Sequence, residues 1–335
     1  MKKMPMKMLF LLILIFSTIL ALTANSWISL WMGMEINLMG FIPMMHNQKN
    51  NNSNLSSIKY FIVQSISSLT LMLLIILWMS NWFHENEMTL IIMMTLSVFL
   101  KIGAAPFHFW FPEVMEYMSW SNCALLLTWQ KIAPMAALMY LSPSQLVMTM
   151  FIVSSALIGA IMGLNQVSLR LILSYSSINH IGWMVSSTQV NFTIWMYYFM
   201  IYSILTTIIS LMFKSFNINS INELYTINNK NKFYKMNMMM AMLSLGGMPP
   251  LLGFLPKWML VQELMNKSMF LTSFILTASS TITLYFYMKL FVSAGFIYFH
   301  ENKWTKNQPF NKFTTITMYL NLMSTLGLTC SSLLI

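Results

Sequence analysis

The chain has 335 residues, of which 57% are apolar and 8% charged, and a formal net charge of +10 at pH 7. A soluble domain carries about 25% charged residues, and a mean hydropathy of +0.66 leaves too little polar surface to cover a water-exposed globule. A soluble enzyme and a nucleic-acid-binding domain are both excluded, because the basic residues punctuate apolar runs instead of clustering on one polar face. The chain reads as an all-α polytopic membrane protein.

Apolar runs of about 20 residues, enough to cross about 30 Å of hydrocarbon, recur about eleven times. In chain order they predict crossings over 6–24, 26–45, 57–80, 88–109, 120–141, 144–165, 168–187, 192–213, 235–264, 268–296 and 313–334. The first run has no small-residue cleavage site after it and reads as a retained helix. Polar residues separate the runs, most heavily the Asn-rich 46–56 and the Asn- and Lys-bearing 217–235. Cys123 and Cys330 lie in different apolar runs, so neither a disulfide framework nor a Cys-based metal site can be built.

Successive loops of such a chain alternate between two faces. The N-terminal face collects Lys2, Lys3, Lys7, Lys49, Lys59, Arg170, Lys214, Lys230, Lys232, Lys235, Lys303, Lys306 and Lys312, whereas the opposite face receives only Lys267. By the positive-inside rule this asymmetry puts the N-terminus on the cytoplasm-equivalent side. An odd number of crossings then puts the C-terminus on the other.

The fourth and ninth runs are interrupted. The fourth contains Lys101-Ile102-Gly103-Ala104-Ala105-Pro106-Phe107-His108, and the ninth contains Gly246-Gly247-Met248-Pro249-Pro250 followed by Gly253-Phe254-Leu255-Pro256-Lys257. Proline removes a backbone donor, so such segments need protein or water around them rather than lipid. The single membrane domain over 1–335 divides into one five-helix repeat at about 6–141, a second at about 144–296 and a C-terminal helix at about 313–334. Both interruptions fall in the fourth helix of a repeat, and an odd number of crossings per repeat inverts the second relative to the first. Discontinuous helices at matching places of inverted repeats are a transporter pattern.

Ionisable groups at membrane depth cost about 2.5–3.5 kcal/mol on insertion scales, so each invites an explanation. Glu35 sits within Trp31-Met32-Gly33-Met34-Glu35-Ile36-Asn37-Leu38, about 12 Å into the second helix at 1.5 Å per residue. Lys101, Lys131 and Lys257 lie in the fourth, fifth and ninth runs. Lys214 and Lys289, near helix ends, can snorkel to the interface, but Lys101 and Lys131 are too deep for that. Glu35 is the natural counter-ion of Lys101. A static ion pair that merely ties helices together is the bland alternative. Against it stands the excess of three buried Lys over one buried Glu: an ammonium out of water without a fixed partner can load and release a proton.

Two histidines could relay protons between these sites. His108 follows Lys101 by seven residues, and His180 shares the seventh helix with Ser176, Ser177 and Asn179. Imidazole titrates near physiological pH and suits a relay, although a hydrogen-bonded structural histidine explains either position equally well. Glu113 and Glu116 read as a solvated loop face or as a proton entry funnel. No glycine-rich phosphate fingerprint, Cys cluster or metal-spaced His pair occurs, which argues against nucleotide, flavin, iron–sulfur or haem binding by this chain. The 37 methionines are scattered through the helices as core and lipid-facing filler.

The four motifs around Glu35, Lys101, Lys131 and Lys257 are carried by residues 31–38, 100–110, 129–134 and 246–258. Together they resemble the antiporter-like membrane subunits of respiratory complex I, NADH:ubiquinone oxidoreductase, in their mitochondrially encoded insect form. The likeness runs from end to end. The resemblance implies a proton-pumping subunit of a translocase with no redox site of its own. In that family the carboxylate of the first motif pairs with the lysine of the first broken helix, here Glu35 and Lys101. The central and terminal lysines correspond to Lys131 and Lys257. FMN and iron–sulfur clusters are implied in partner subunits, with other complex I membrane subunits and lipids such as cardiolipin as contacts and no nucleic acid. The expected location is the inner mitochondrial membrane, N-terminus in the matrix and C-terminus in the intermembrane space. A stand-alone cation/proton antiporter of the same fold would need the same buried lysines. A purely structural anchor subunit is a third reading, under which neutralising the buried charges leaves activity intact.

Overall fold

The computed structural model describes residues 3–46, 51–80, 87–226 and 232–293, and every named element in them is helical. The crossing expected over 313–334 lies outside those residues, as do Cys330, Lys2, Lys49, Lys230, Lys303, Lys306 and Lys312. Two compact units divide the chain, Met1–Phe151 and Ile152–Ile335.

In the first unit, α1 (Lys3–Leu22) and α2 (Trp27–Met45) form an antiparallel hairpin. Ser26 caps α2 by accepting the Ser29 N–H at 3.2 Å, while Ser29 Oγ accepts the Ser26 N–H at the same distance. Gly33 permits the close approach of the hairpin, since a Cβ there would lie 2.8 Å from the backbone nitrogen of Ala21. The long α3 (Asn51–Met79) follows, then α4 (Glu87–Ile102), the short α5 (Trp110–Tyr117), α6 (Trp120–Leu127) and α7 (Trp129–Leu141). α7 packs against α1, α2 and α4. The start of α2 meets the end of α3 where Trp27 and Trp78 stand edge to face, 6.4 Å between centroids. α8 (Gln145–Gly163) runs across the division between the units.

In the second unit, α9 (Leu169–Val190) and α10 (Phe192–Phe216) are joined through Asn191, followed by α11 (Ile221–Thr226), α12 (Lys232–Gly246), α13 (Phe254–Asn266) and α14 (Phe270–Val292). α10 packs on α9, α12 and α13, and α14 on α9, α12 and α13.

Six described helices are long and apolar enough to cross a membrane: Trp27–Met45, Asn52–Met79, Trp120–Leu141, Gln145–Gly163, Phe192–Phe216 and Phe270–Val292. Among the described residues, the other expected crossings fall short for identifiable reasons, and the apolar part of α1 spans only Met6–Leu22. α4 and the α12–α13 pair are cut short where their backbones break. α9 carries a polar face that the fold buries, including Ser174, Ser176, Ser177, Asn179, His180, Ser186 and Ser187. The outward faces are apolar instead, as with Met8, Leu12 and Phe16 on α1, which is the arrangement a hydrocarbon solvent favours.

Candidate functional site

Helix α4 stops at Ile102 because Gly103 adopts the left-handed conformation, φ 77°, which costs glycine little. A helix that ends at membrane depth leaves carbonyls that lipid cannot satisfy. Here three of the last four are taken. Phe99 O accepts the N–H groups of Gly103 and Ala104 at 3.0 and 3.2 Å. Leu100 O accepts the indole N–H of Trp110 at 3.1 Å, and Lys101 O accepts the Gln64 amide at 3.2 Å. Neutral side chains thus close the helix end, and the Lys101 ammonium is not spent on it.

The Lys101 ammonium is buried and donates to Met34 Sδ at 3.9 Å, a weak acceptor. Glu35 is half-buried and acts on Lys101 through its charge, but no carboxylate oxygen comes within the 4.0 Å of an ion pair. The turn of α2 that faces Lys101 therefore presents Met34 and Asn37 rather than Glu35.

Lys131, in the first turn of α7, is buried as well. Its Nζ lies 5.7 Å from the centroid of the Phe111 ring, a cation–π separation. The expected fifth crossing is itself broken at Thr128, between α6 and α7. Two causes are local: the Thr128 hydroxyl bonds back to Ala124 O at 2.7 Å, and Pro134 withholds the N–H that Gln130 O would have received. Pro134 is the sequence signal for this weakening.

Lys101 and Lys131 line the same cavity, together with Asn37, Tyr60, Gln64, Trp110, Phe111 and Gln130. It offers about 30 Å³ to water-sized molecules. A water needs roughly 10–15 Å³ by that measure, so the space suits a pair of waters. Two buried polar atoms of the lining, Asn37 Oδ1 and Gln130 Nε2, have no protein hydrogen-bond partner. One is an acceptor and the other a donor, as a bridging water requires.

His108 is buried in the non-helical stretch after α4, where its Nδ1–H donates to Pro106 O at 3.2 Å and its ring lies 4.4 Å from that of Phe109. It is not among the cavity-lining residues. Glu113 and Glu116, expected on a loop, sit on α5, and Glu113 forms an exposed ion pair with Lys59 of α3.

In the second unit, α12 ends at Gly246 and α13 begins at Phe254. Lys257, buried in the first turns of α13, reaches back and donates to Gly246 O at 2.9 Å. A cation at a helix C-terminus is also favoured by the helix dipole. Gly247, at φ 81°, makes room for this, because a Cβ there would lie 2.9 Å from Lys257 Nζ. The same ammonium stands 5.7 Å from the Trp183 ring. His180, one turn before Trp183 on α9, bonds through Nδ1 to the Tyr198 hydroxyl at 2.8 Å. Asn179 contacts Ser279 of α14, Ser176 and Ser177 bond to carbonyls of their own helix, and Ser177 also meets the Tyr202 hydroxyl of α10. Gln64, Trp110, Gln130, Trp183 and Tyr198 carried no role in the sequence reading. Long-range contacts single out the first two and the last two, and Gln130 is singled out by lining the cavity with an unpartnered amide nitrogen.

A family profile described as NADH:quinone oxidoreductase/Mrp antiporter, TM, matches residues 24–283. Among curated proteins, NADH-ubiquinone oxidoreductase chain 2 of Locusta migratoria is 43% identical over 331 residues, covering 98% of this chain and 96% of the relative. The same-named protein of Anopheles gambiae is 42% identical, covering 97% of each. Two solved structures share the fold at low identity. A chain of respiratory complex I from Thermus thermophilus with bound aureothin aligns at TM-score 0.85 and 19% identity, over 97% of this chain and 78% of that one. A chain of the Mrp complex from Dietzia aligns at TM-score 0.79 and 13% identity, over 97% and 75%. The near-full-length identity to the insect proteins decides the matter: the chain belongs to the NADH-ubiquinone oxidoreductase chain 2 family.

Proposed function

We infer that the chain is a core membrane subunit of respiratory complex I in the inner mitochondrial membrane. It moves protons while electrons pass from NADH to ubiquinone in other subunits, which hold the FMN and iron–sulfur clusters. The observation that carries this reading is the joint lining of one water-sized cavity by two buried lysines. An ammonium in such a cavity can pass a proton through an ordered water to a neutral amine, and each transferred charge repels the next. Glu35 biases the first step by its distance from Lys101, and movement of that carboxylate is the point at which a signal from neighbouring subunits enters. Charge then passes along Lys101, Lys131 and Lys257 in electrostatic steps, with His108 and His180 as relay candidates.

The finer architecture belongs to the same proposal. The chain crosses the membrane about eleven times, as two five-crossing repeats broken in their fourth crossings plus a C-terminal helix, with the N-terminus in the matrix. Several contacts support the alternation of loops. Lys59 pairs with Glu113, and Asn122 bonds to Met44 O at 2.9 Å, all near ends assigned to the matrix face. Lys267 bonds to the carbonyls of Gln189 and Val190 at 3.1 and 2.7 Å, all assigned to the opposite face. Protease applied to mitoplasts should spare the 230–235 stretch, and its cleavage from outside would refute the topology.

A cation/proton antiporter that works alone is the second reading, because it would need the same buried lysines and broken helices. Native mass analysis separates the two. The chain should be recovered in a large assembly containing flavin and iron–sulfur centres; ion exchange by the isolated chain in vesicles would favour the antiporter.

A further inference from the structure

The second unit contains a cluster that the lysine pathway does not explain. Tyr198 of α10 is buried, 1% exposed, with its hydroxyl 2.8 Å from His180 Nδ1. Its ring lies nearly parallel to that of Trp183, 12° between planes and 6.4 Å between centroids. Trp183 is in turn the ring over which Lys257 Nζ stands at 5.7 Å. One tyrosine of α10 therefore touches two residues of α9, the histidine and the aromatic support of the lysine, while the lysine itself lies on α13. A phenylalanine would stack on Trp183 as well. The hydroxyl needs another reason, and His180 supplies it.

We propose that Tyr198 is the positioning residue of the second unit: its hydroxyl holds the ring plane and tautomer of His180 while its ring holds Trp183 against Lys257. A hydrogen bond at one imidazole nitrogen decides which nitrogen carries the proton, and so which edge of the ring can donate or accept elsewhere. A histidine free to flip would spend part of its time in the wrong tautomer. The aromatic stack is the second restraint, and it acts on a different residue of the same helix, Trp183. This inference rests on the reading of His180 and Lys257 as proton-carrying groups.

The test is a double-substitution cycle in assembled complex, with proton translocation and its pH profile as readouts. Tyr198→Phe keeps the stack and removes the hydroxyl. The expected result is normal assembly, a proton translocation rate lowered about two- to tenfold, the size of one neutral hydrogen bond, and a displaced pH profile. The titratable and charged groups facing this cluster are Tyr198 and Tyr202 of α10, Tyr287 of α14 and Lys257 of α13, so the profile is compared in an otherwise unchanged chain. In a His180→Gln background, Tyr198→Phe should add nothing. Equal losses in both backgrounds would overturn the inference, because the hydroxyl would then act elsewhere. A silent Tyr198→Phe beside an impaired His180→Gln would also overturn it while leaving the relay intact. If both are silent, the relay reading of His180 fails and the inference falls with it. Tyr198→Leu, which removes the stack too, should impair translocation further than Tyr198→Phe; equal effects would refute the Trp183 half of the proposal.

Discussion

The two helix breaks solve one problem in opposite ways. Each leaves backbone carbonyls at membrane depth, and each has a lysine beside it. At the end of α4 the carbonyls of Leu100 and Lys101 are bonded by Trp110 and Gln64, both uncharged, and the Lys101 ammonium turns toward the cavity. At the end of α12 the lysine itself bonds Gly246 O. Lys101 precedes its break and Lys257 follows one, which is why only Lys257 can reach back onto the preceding helix end. The comparison teaches that a lysine in a broken helix is not one kind of group. Where neutral donors close the backbone, the ammonium takes no part in the closure; where they do not, the ammonium is itself the donor that closes the helix.

Substitutions at the breaks should separate these roles. The largest effect on stability is expected at Gly253, where an added Cβ would collide with the Ser244 carbonyl. Gly253→Ala should lower the amount of assembled complex severalfold, a cost of about 1–3 kcal/mol for overpacking, measured by native electrophoresis. Gly103→Ala and Gly247→Ala come next. Both force a Cβ into left-handed backbone at about 1–2 kcal/mol, but only Gly247→Ala crowds the lysine of its break. Thermal inactivation should fall similarly for the two, with proton translocation impaired further in Gly247→Ala alone; equal translocation defects would erase the distinction drawn between the breaks.

Smaller effects test the neutral closure. Gln64→Leu leaves Lys101 O without its donor and should destabilise by about 1 kcal/mol, read as a lower inactivation temperature. It should also draw the Lys101 ammonium toward that carbonyl and slow translocation, an effect a purely structural glutamine would not show. The smallest change is expected from Lys59→Met. Its ion pair with Glu113 is exposed, and such pairs contribute about 0–1 kcal/mol.

Much of this arrangement was legible in the sequence, and the exceptions follow a rule. Gly103, Pro106, Gly247 and Pro249 announce the breaks because glycine and proline act through their own backbone. Lys101, Lys131 and Lys257 announce burial because a charge inside an apolar run is rare. What could not be read was who faces whom. Gln64 lies 37 residues before the carbonyl it serves, and Tyr198 lies 18 residues after His180, so neither bond leaves a local pattern. The pairing of Glu35 with Lys101 is expected from charge and from the family motif, but neither says which turn of α2 is nearest, and here Met34 and Asn37 line the cavity. The break at Thr128 falls inside a single apolar run, six residues before Pro134, so hydropathy does not mark it.

The most direct test of the account is the number of protons moved per electron transferred, measured in reconstituted vesicles with assembled complex carrying Lys131→Met. Methionine keeps the bulk of the side chain and removes the titrating group. The account predicts normal assembly, a lower proton yield and slower tightly coupled NADH oxidation. Unchanged yield and rate in assembled complex would show that Lys131 is structural and that the cavity it shares with Lys101 carries no protons.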